Sequence, residues 1–209
     1  MALNLRELAT KILVTDGAWG TQLQALGLPG GSPPEIWNDS NPHAVLSIAR
    51  SYAAAGSDII LTNTFGANRF ILETHGVQGR TAELAEKGAL ISRQAMGRGG
   101  LVFASLGPTG KIVMMDETPR EAIAAAFAES AEALAFGGAD AIVLESFAEL
   151  EEIAIALRAV KKACSLPVVL SMTFASGPDK TVSMMGNKPA DLAALANDEG
   201  QLSLVVDLG

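Results

Sequence analysis

The chain has 209 residues, 49% of them apolar and only 5% aromatic, with 21 glycines, one cysteine and a formal charge of −8. That length suits one domain with a sizeable core built from Ala, Val, Leu and Ile, and the acidic balance disfavours a nucleic-acid surface. No charge-free apolar window reaches membrane-spanning length, the first ten residues lack a signal-peptide core, and a single cysteine (Cys164) excludes an internal disulfide or an all-cysteine metal cluster, so the expectation is a cytoplasmic protein.

In chain order, short apolar runs alternate with helical patterns. The runs are ILVT at 12–15, DIILTN at 58–63, LVFASLG at 101–107, DAIVLES at 140–146, PVVLSMT at 167–173 and LSLVVDLG at 202–209. They are nearly continuous in apolar residues, which suits parallel strands covered on both faces. Between them, 41–55 reads as a helix with Asn41 as N-cap, Pro42 at the first position and a stripe of Val45, Ile48 and Tyr52. Residues 79–97 place Leu84, Ile91 and Ala95 on one side. Residues 119–136 read as a helix capped by Thr118, with Pro119 at its first position, Glu121 completing a capping box and Ile123, Phe127 and Leu134 inward. Ser146 and Glu149 repeat that device before the next helix. The helices at 41–55 and 119–136 end in glycine, as C-terminal caps do.

AAAGSDIILTNTF at 53–65 echoes AFGGADAIVLESF at 135–147. The echo has two readings, a repeated βα unit or convergent βα grammar. Six strand–helix alternations build either a (β/α) barrel or an open doubly wound sheet. DGAWG after the first run is not the G-x-G-x-x-G turn of a dinucleotide fold. Polar residues instead end several runs: Asp16, Asn63, Thr64, Ser105, Glu145, Ser171 and Thr173. Strand ends converging on one rim are how a barrel makes a site. A barrel needs eight strands, and six are legible, so the expected fold is an α/β (β/α)8 barrel type with about six units, forming one partial domain over 1–209.

Each candidate residue has a bland and a functional reading. Asp16 is a turn acceptor or a site acid. Glu145, after the apolar AIVL, is a helix cap or a desolvated carboxylate that holds an ammonium group. In TNTFGAN, Asn63, Thr64 and Asn68 either build a turn or bind a carboxylate. SLGPTG offers backbone N–H groups but lacks the Lys-Ser/Thr ending of a phosphate loop. Ser171 and Thr173 lie near the same rim, and Met172 reads as packing. His43 and His75 read as structural or solvent-facing, and Cys164 as a small buried hydrophobe on the opposite face.

DGAWGTQL, TNTFGAN, SLGPTG, LESFAEL and the SMTF…TVSMMG stretch at 171–186, in that order, resemble the homocysteine S-methyltransferase domain family. That family includes betaine–homocysteine methyltransferases, the N-terminal barrel of cobalamin-dependent methionine synthase and corrinoid-protein relatives. The resemblance implies a (β/α)8 barrel that binds homocysteine at its strand ends and methylates the thiolate to methionine. It implies zinc held by three cysteines, and in some members a corrinoid on a partner protein or domain. It assigns substrate binding to Asp16, with Gly17 and Ala18 in the turn, to Asn63, Thr64 and Phe65, and to Glu145; Ser171 joins them from the rim. The sequence departs from the family in lacking the Asn-Cys-Gly segment and the Cys-Cys pair, and Cys164 matches neither. The expectation is therefore a truncated or split methyltransferase whose isolated chain is inactive and binds no zinc. Alternatives are a corrinoid-dependent demethylase component, or a non-catalytic barrel segment that oligomerises through open edges. A barrel aldolase or lyase is a lesser alternative, since no expected strand carries a lysine.

Overall fold

The computed structural model describes residues 3–8 and 10–199. In chain order the elements are α1 (Leu5–Leu8), α2 (Gly20–Ala25), α3 (Trp37–Ser40), α4 (Pro42–Ala55), β1 (Ile59–Ile60), α5 (Arg69–Glu73), α6 (Thr81–Met96), β2 (Leu101–Leu106), α7 (Arg120–Phe136), β3 (Ala141–Phe147), α8 (Leu150–Ala163), β4 (Val168–Met172) and α9 (Pro189–Asp198). The strands are parallel and lie side by side in the order β1-β2-β3-β4. A parallel bridge from Thr15 to Ile59 adds the segment before β1 at the same edge. Spatial order that follows chain order without reversal is the winding of a barrel wall. A doubly wound sheet would reverse at a switch point.

Alternate residues of each strand serve two cores. Ile59, Phe103, Ala141, Val143 and Val169 face inward and meet Leu3, Leu5, Leu8 and Leu13, so the N-terminal segment packs against the inner face. Ala104, Leu106, Ile142, Leu144, Val168, Leu170 and Met172 face outward, against α7, α8 and α9. Both faces are covered, which is why the runs lack polar alternation. The helical stripes point inward as expected: Val45, Ile48, Leu84, Ile91, Ile123, Phe127 and Leu134 are buried.

The run at 12–15 is not a full strand. Only Thr15 makes a ladder contact, and Ile12 and Val14 are 97% and 58% exposed, because no described residue covers this edge. The run at 58–63 shrinks to two residues because side chains replace the ladder beyond Ile60. Asp16 Oδ2 accepts from Leu61 N at 2.8 Å, and Thr62 Oγ1 accepts from Ser105 N at 3.0 Å. The run at 202–209 lies outside the described residues.

Three caps also differ. α4 begins at Pro42 as expected, but the Asn41 side chain makes no cap bond. Pro119 is the N-cap of α7 rather than its first residue, with extended backbone, so the Thr118–Glu121 box does not form. Ser146 is still within β3, and the Glu149 carboxylate takes the N–H groups of Val113 and Met114, both at 2.9 Å, instead of capping its own helix. Gly56 closes α4 at φ 98° as a left-handed cap.

Candidate functional site

A cavity of about 550 Å³ opens at the C-terminal ends of the strands. Its wall takes residues from four places: Gly17 to Gly20, Gly31 to Glu35, Leu61 to Gly66, and Ser105 with Glu145 and Ser146; Ile71 and His75 complete it. Six of the expected site residues line it: Gly17, Ala18, Asn63, Thr64, Phe65 and Glu145.

Asp16 supports this wall rather than lining it. Its Oδ2 accepts from Trp19 Nε1 and from Leu61 N, both at 2.8 Å, tying two wall segments together. Its Oδ1 is shut off from solvent and has no hydrogen-bond partner among the described residues. Burial pushes the Asp16 carboxyl above the ordinary range, against the opposing pull of those two donors. Gly17 leaves room for a close approach here. A Cβ at this position would come within 3.1 Å of the Tyr52 hydroxyl, which donates to Ala18 O at 2.8 Å and fixes the turn.

Glu145 is the half-buried acid of the cavity. Burial pushes its carboxyl up, a short hydrogen bond from the Ser105 hydroxyl pulls it part-way back, and the Asp16 charge pushes it up again. Glu145 therefore feels the charge of Asp16. No lysine or arginine lines the cavity among the described residues. Two acids with no counter-ion beside them favour a cationic ligand group.

The NTF segment divides its roles. Asn63 is turned into the scaffold: its Nδ2 donates to Pro34 O and to Asn38 Oδ1, each at 2.9 Å. Thr64 donates to Ser105 O at 2.7 Å and shares a short hydrogen bond with Thr62. The Asn63 amide N–H groups and the Thr64 hydroxyl are thus engaged with the scaffold and hold the rim in shape. Asn68 caps α5 through Phe70 N and Ile71 N. Phe65 is 45% exposed, and its ring lies on Gly107, where a Cβ would come within 2.6 Å of it. In SLGPTG the loop turns away from the cavity, with Thr109 N and Oγ1 held by Glu152 Oε1. Ser171 is buried on β4, its hydroxyl without a partner among the described residues, and is not part of the cavity wall.

One acid and one tryptophan of the wall were not anticipated. Glu35 is 2% exposed. Its Oε1 accepts from Gly66 N at 2.7 Å, its Oε2 is buried without a partner, and burial raises its carboxyl. The sequence signal was weak: an acid between two prolines and an apolar pair reads as loop. Trp19 was the other, hidden as one aromatic within a turn. Exposed His75 stands at the rim, whereas His43 is exposed on α4 and does not line the cavity.

The described residues do not fit a three-ligand zinc site. They contain no group of three His, Cys, Asp or Glu side chains placed to hold a metal. Cys164, half-buried at the end of α8, precedes β4 and so stands at the face opposite the cavity. No helix among the described residues is long and apolar enough to cross a membrane.

Comparison with known proteins bears on this geometry directly. Residues 13–208 match the family model for homocysteine S-methyltransferase. Methionine synthase from Mycobacterium tuberculosis is 34% identical over 170 residues, which are 75% of this chain and 14% of that protein. The Mycobacterium leprae methionine synthase is 31% identical over 188 residues, or 81% of this chain and 15% of that protein. The chain thus spans about one seventh of the length of these curated relatives. Among solved structures, the oxidized form of the homocysteine methyltransferase MmuM from Escherichia coli superimposes with a TM-score of 0.78 at 23% identity, covering 96% of this chain and 76% of that one, and so supports the barrel fold. On the family match and the identity to the methionine synthases, the chain belongs to the homocysteine S-methyltransferase family.

Proposed function

We propose that the cavity binds homocysteine as the methyl acceptor, within a larger enzyme that transfers a methyl group to the thiol and forms methionine. One observation carries this reading. Glu145 and Asp16 crowd two carboxyls at the strand ends, both pushed up by burial and Glu145 further by the Asp16 charge, on a cavity with no lysine or arginine in its wall among the described residues. An ammonium group relieves both effects at once, since a cation within reach favours the ionised form of each acid. Glu145 takes the ammonium directly, and Asp16 contributes its charge from behind the wall. Phe65 and Trp19 border the cavity with apolar surface suited to the ligand's methylenes. Ser171, buried close to Glu145 along the paired strands, adds a hydroxyl with no other partner among the described residues.

The family match supports the acceptor. The zinc that the resemblance implies has no ligand set among the described residues, so any thiol activation by metal draws on groups outside them, and the chain alone is inactive. The methyl donor is proposed to be a corrinoid carried by a partner protein or domain, since the resembled family includes cobalamin-dependent methionine synthase and the matched relatives of 34% and 31% identity are methionine synthases. Residues 1–209 are proposed to act as one partial barrel domain in a cytoplasmic protein.

Isothermal titration of the chain with homocysteine and with 4-mercaptobutanoate, the same thiol acid without its amino group, tests the reading. Homocysteine is expected to bind and the des-amino acid to bind at least about tenfold more weakly, the scale of one charge-assisted contact. Equal binding of the two, or none, would overturn it. Homocysteine affinity should also fall on acidification before the ordinary carboxylate range is reached, because protonating either raised acid removes the charge that the ammonium needs.

A further inference from the structure

β3 breaks its own alternation at one point. Ala141 and Val143 face the inner core, while Ile142 and Leu144 face the outer one. Continued pleating would turn Glu145 in, Ser146 out and Phe147 in. Instead the register steps from Leu144↔Leu170 to Phe147↔Met172, so Glu145 and Ser146 together oppose the single residue Ser171. This is a β-bulge. Ser146 carries it at φ 62°, in the left-handed region that residues with a Cβ seldom adopt. Phe147 then returns to the outer core, fully buried, with its ring 5.9 Å from that of Phe127.

The bulge puts two consecutive residues, Glu145 and Ser146, on the cavity wall. The Ser146 hydroxyl has no hydrogen-bond partner among the described residues. If the bulge served only to bend the strand, glycine would hold φ 62° without strain. A serine bears the strain and adds one thing that glycine lacks, a free hydroxyl beside the cavity acid. Strain held at a cavity wall points to function.

We infer that Ser146 is a ligand-contacting residue of this site, its hydroxyl accepting a hydrogen bond from the ammonium of the bound amino acid next to the Glu145 carboxylate. The inference rests on the amino-acid reading above. An ammonium has three N–H donors that diverge, and one carboxylate does not meet all three. A hydroxyl on the neighbouring residue, which the bulge places on the same cavity wall, offers a second acceptor at a different angle.

The test is calorimetric affinity for homocysteine and 4-mercaptobutanoate in the unaltered chain, Ser146→Gly and Ser146→Ala, with a thermal melt of each. Ser146→Gly keeps the backbone without strain, so it should melt no lower than the unaltered chain while losing roughly tenfold in homocysteine affinity. Its weak binding of the des-amino acid should not change. Ser146→Ala should show the same affinity loss. If the unaltered chain prefers homocysteine but Ser146→Gly binds it within about twofold of the unaltered value, the hydroxyl is not a contact and the inference fails alone. If the unaltered chain shows no preference for homocysteine, the amino-acid reading fails and takes this inference with it.

Discussion

Residues 53–65 and 135–147 follow the same course 82 residues apart and diverge at their far ends. In each, a helix closes through a left-handed glycine, Gly56 at φ 98° and Gly138 at φ 89°. In each, an aspartate stands two residues on and grips the preceding strand at both ends: Asp58 N donates to Val14 O and Asp140 N to Val102 O, both at 2.8 Å, while their Oδ2 atoms accept from Val14 N and Val102 N at 2.9 and 2.8 Å. The echo thus holds in hydrogen bonds as well as in letters. Beyond the strand the units part. Asn63 spends its amide on the scaffold, while the equivalent Glu145 faces the cavity. Phe65 borders the cavity, whereas the equivalent Phe147 lies in the core because the bulge at Ser146 shifts the strand's parity. The foot of a βα unit builds the barrel, and the tip is free to take up binding.

The largest break in this symmetry is at the phenylalanines. Phe147→Ala should cost about 3–5 kcal/mol of folding stability, the usual loss for a fully buried ring. Phe65→Ala should cost under about 1 kcal/mol, since its ring is already half in solvent, and should instead weaken ligand binding. Urea unfolding of both variants separates the two. Equal losses would mean that the parity shift has no energetic consequence.

Exchanging the polar tips should follow. Asn63→Asp removes the amide that donates to Pro34 O and Asn38 Oδ1 and leaves a carboxylate facing two acceptors. The expected destabilisation is about 3 kcal/mol by denaturant unfolding, from unmet buried acceptors. Glu145→Gln has the opposite sign. The folded state binds a proton on Glu145 more readily than the unfolded chain does, because burial and Asp16 raise its carboxyl. Its contribution to stability is therefore full at low pH and is lost as pH rises from the ordinary carboxylate range through the raised value. Glutamine never ionises, so the variant should be the more stable of the two near neutrality, with a flatter pH profile in a thermal melt. It should also bind homocysteine roughly 30-fold more weakly, about 2 kcal/mol, as loss of one partner of a desolvated charge pair costs.

Much of this architecture was legible in the sequence, for physical reasons that also explain where legibility stopped. Runs such as AIVLES and PVVLS are apolar throughout because both strand faces are covered, and they read as parallel strands. Glycine at the end of α4 is demanded by one backbone angle, and it marked the helix end. Caps were less legible. Whether Thr118 or Pro119 stands at the N-cap depends on one ψ angle, and Glu149 is diverted to Val113 and Met114 by a loop 35 residues away in sequence. The site was half legible. Asp16 and Glu145 followed from an acid after an apolar strand. Glu35 did not, because its partner Gly66 is brought to it only by the fold. The bulge at Ser146 left no mark either, since an αL serine and an extended one are written alike.

The smallest expected effect tests the shared part of the two units. Asp58 and Asp140 do the same job for the preceding strand, but only Asp140 is also ion-paired, to Arg93, whose Nε donates to Gly138 O at 3.1 Å. Asparagine keeps an acceptor oxygen for the strand N–H and removes the charge alone. Asp140→Asn should therefore cost about 1 kcal/mol, the worth of a partly buried arginine–carboxylate bond, and part of that loss should vanish in high salt. Asp58→Asn should cost a few tenths at most, about 0.3 kcal/mol on the same scale, with no salt dependence. Equal costs at low and high salt would show that strand gripping, not the Arg93 pair, sets the value of the aspartate at this position. In that case the two units are energetically as well as geometrically the same at their feet, and the difference between them is confined to the tips that face the cavity.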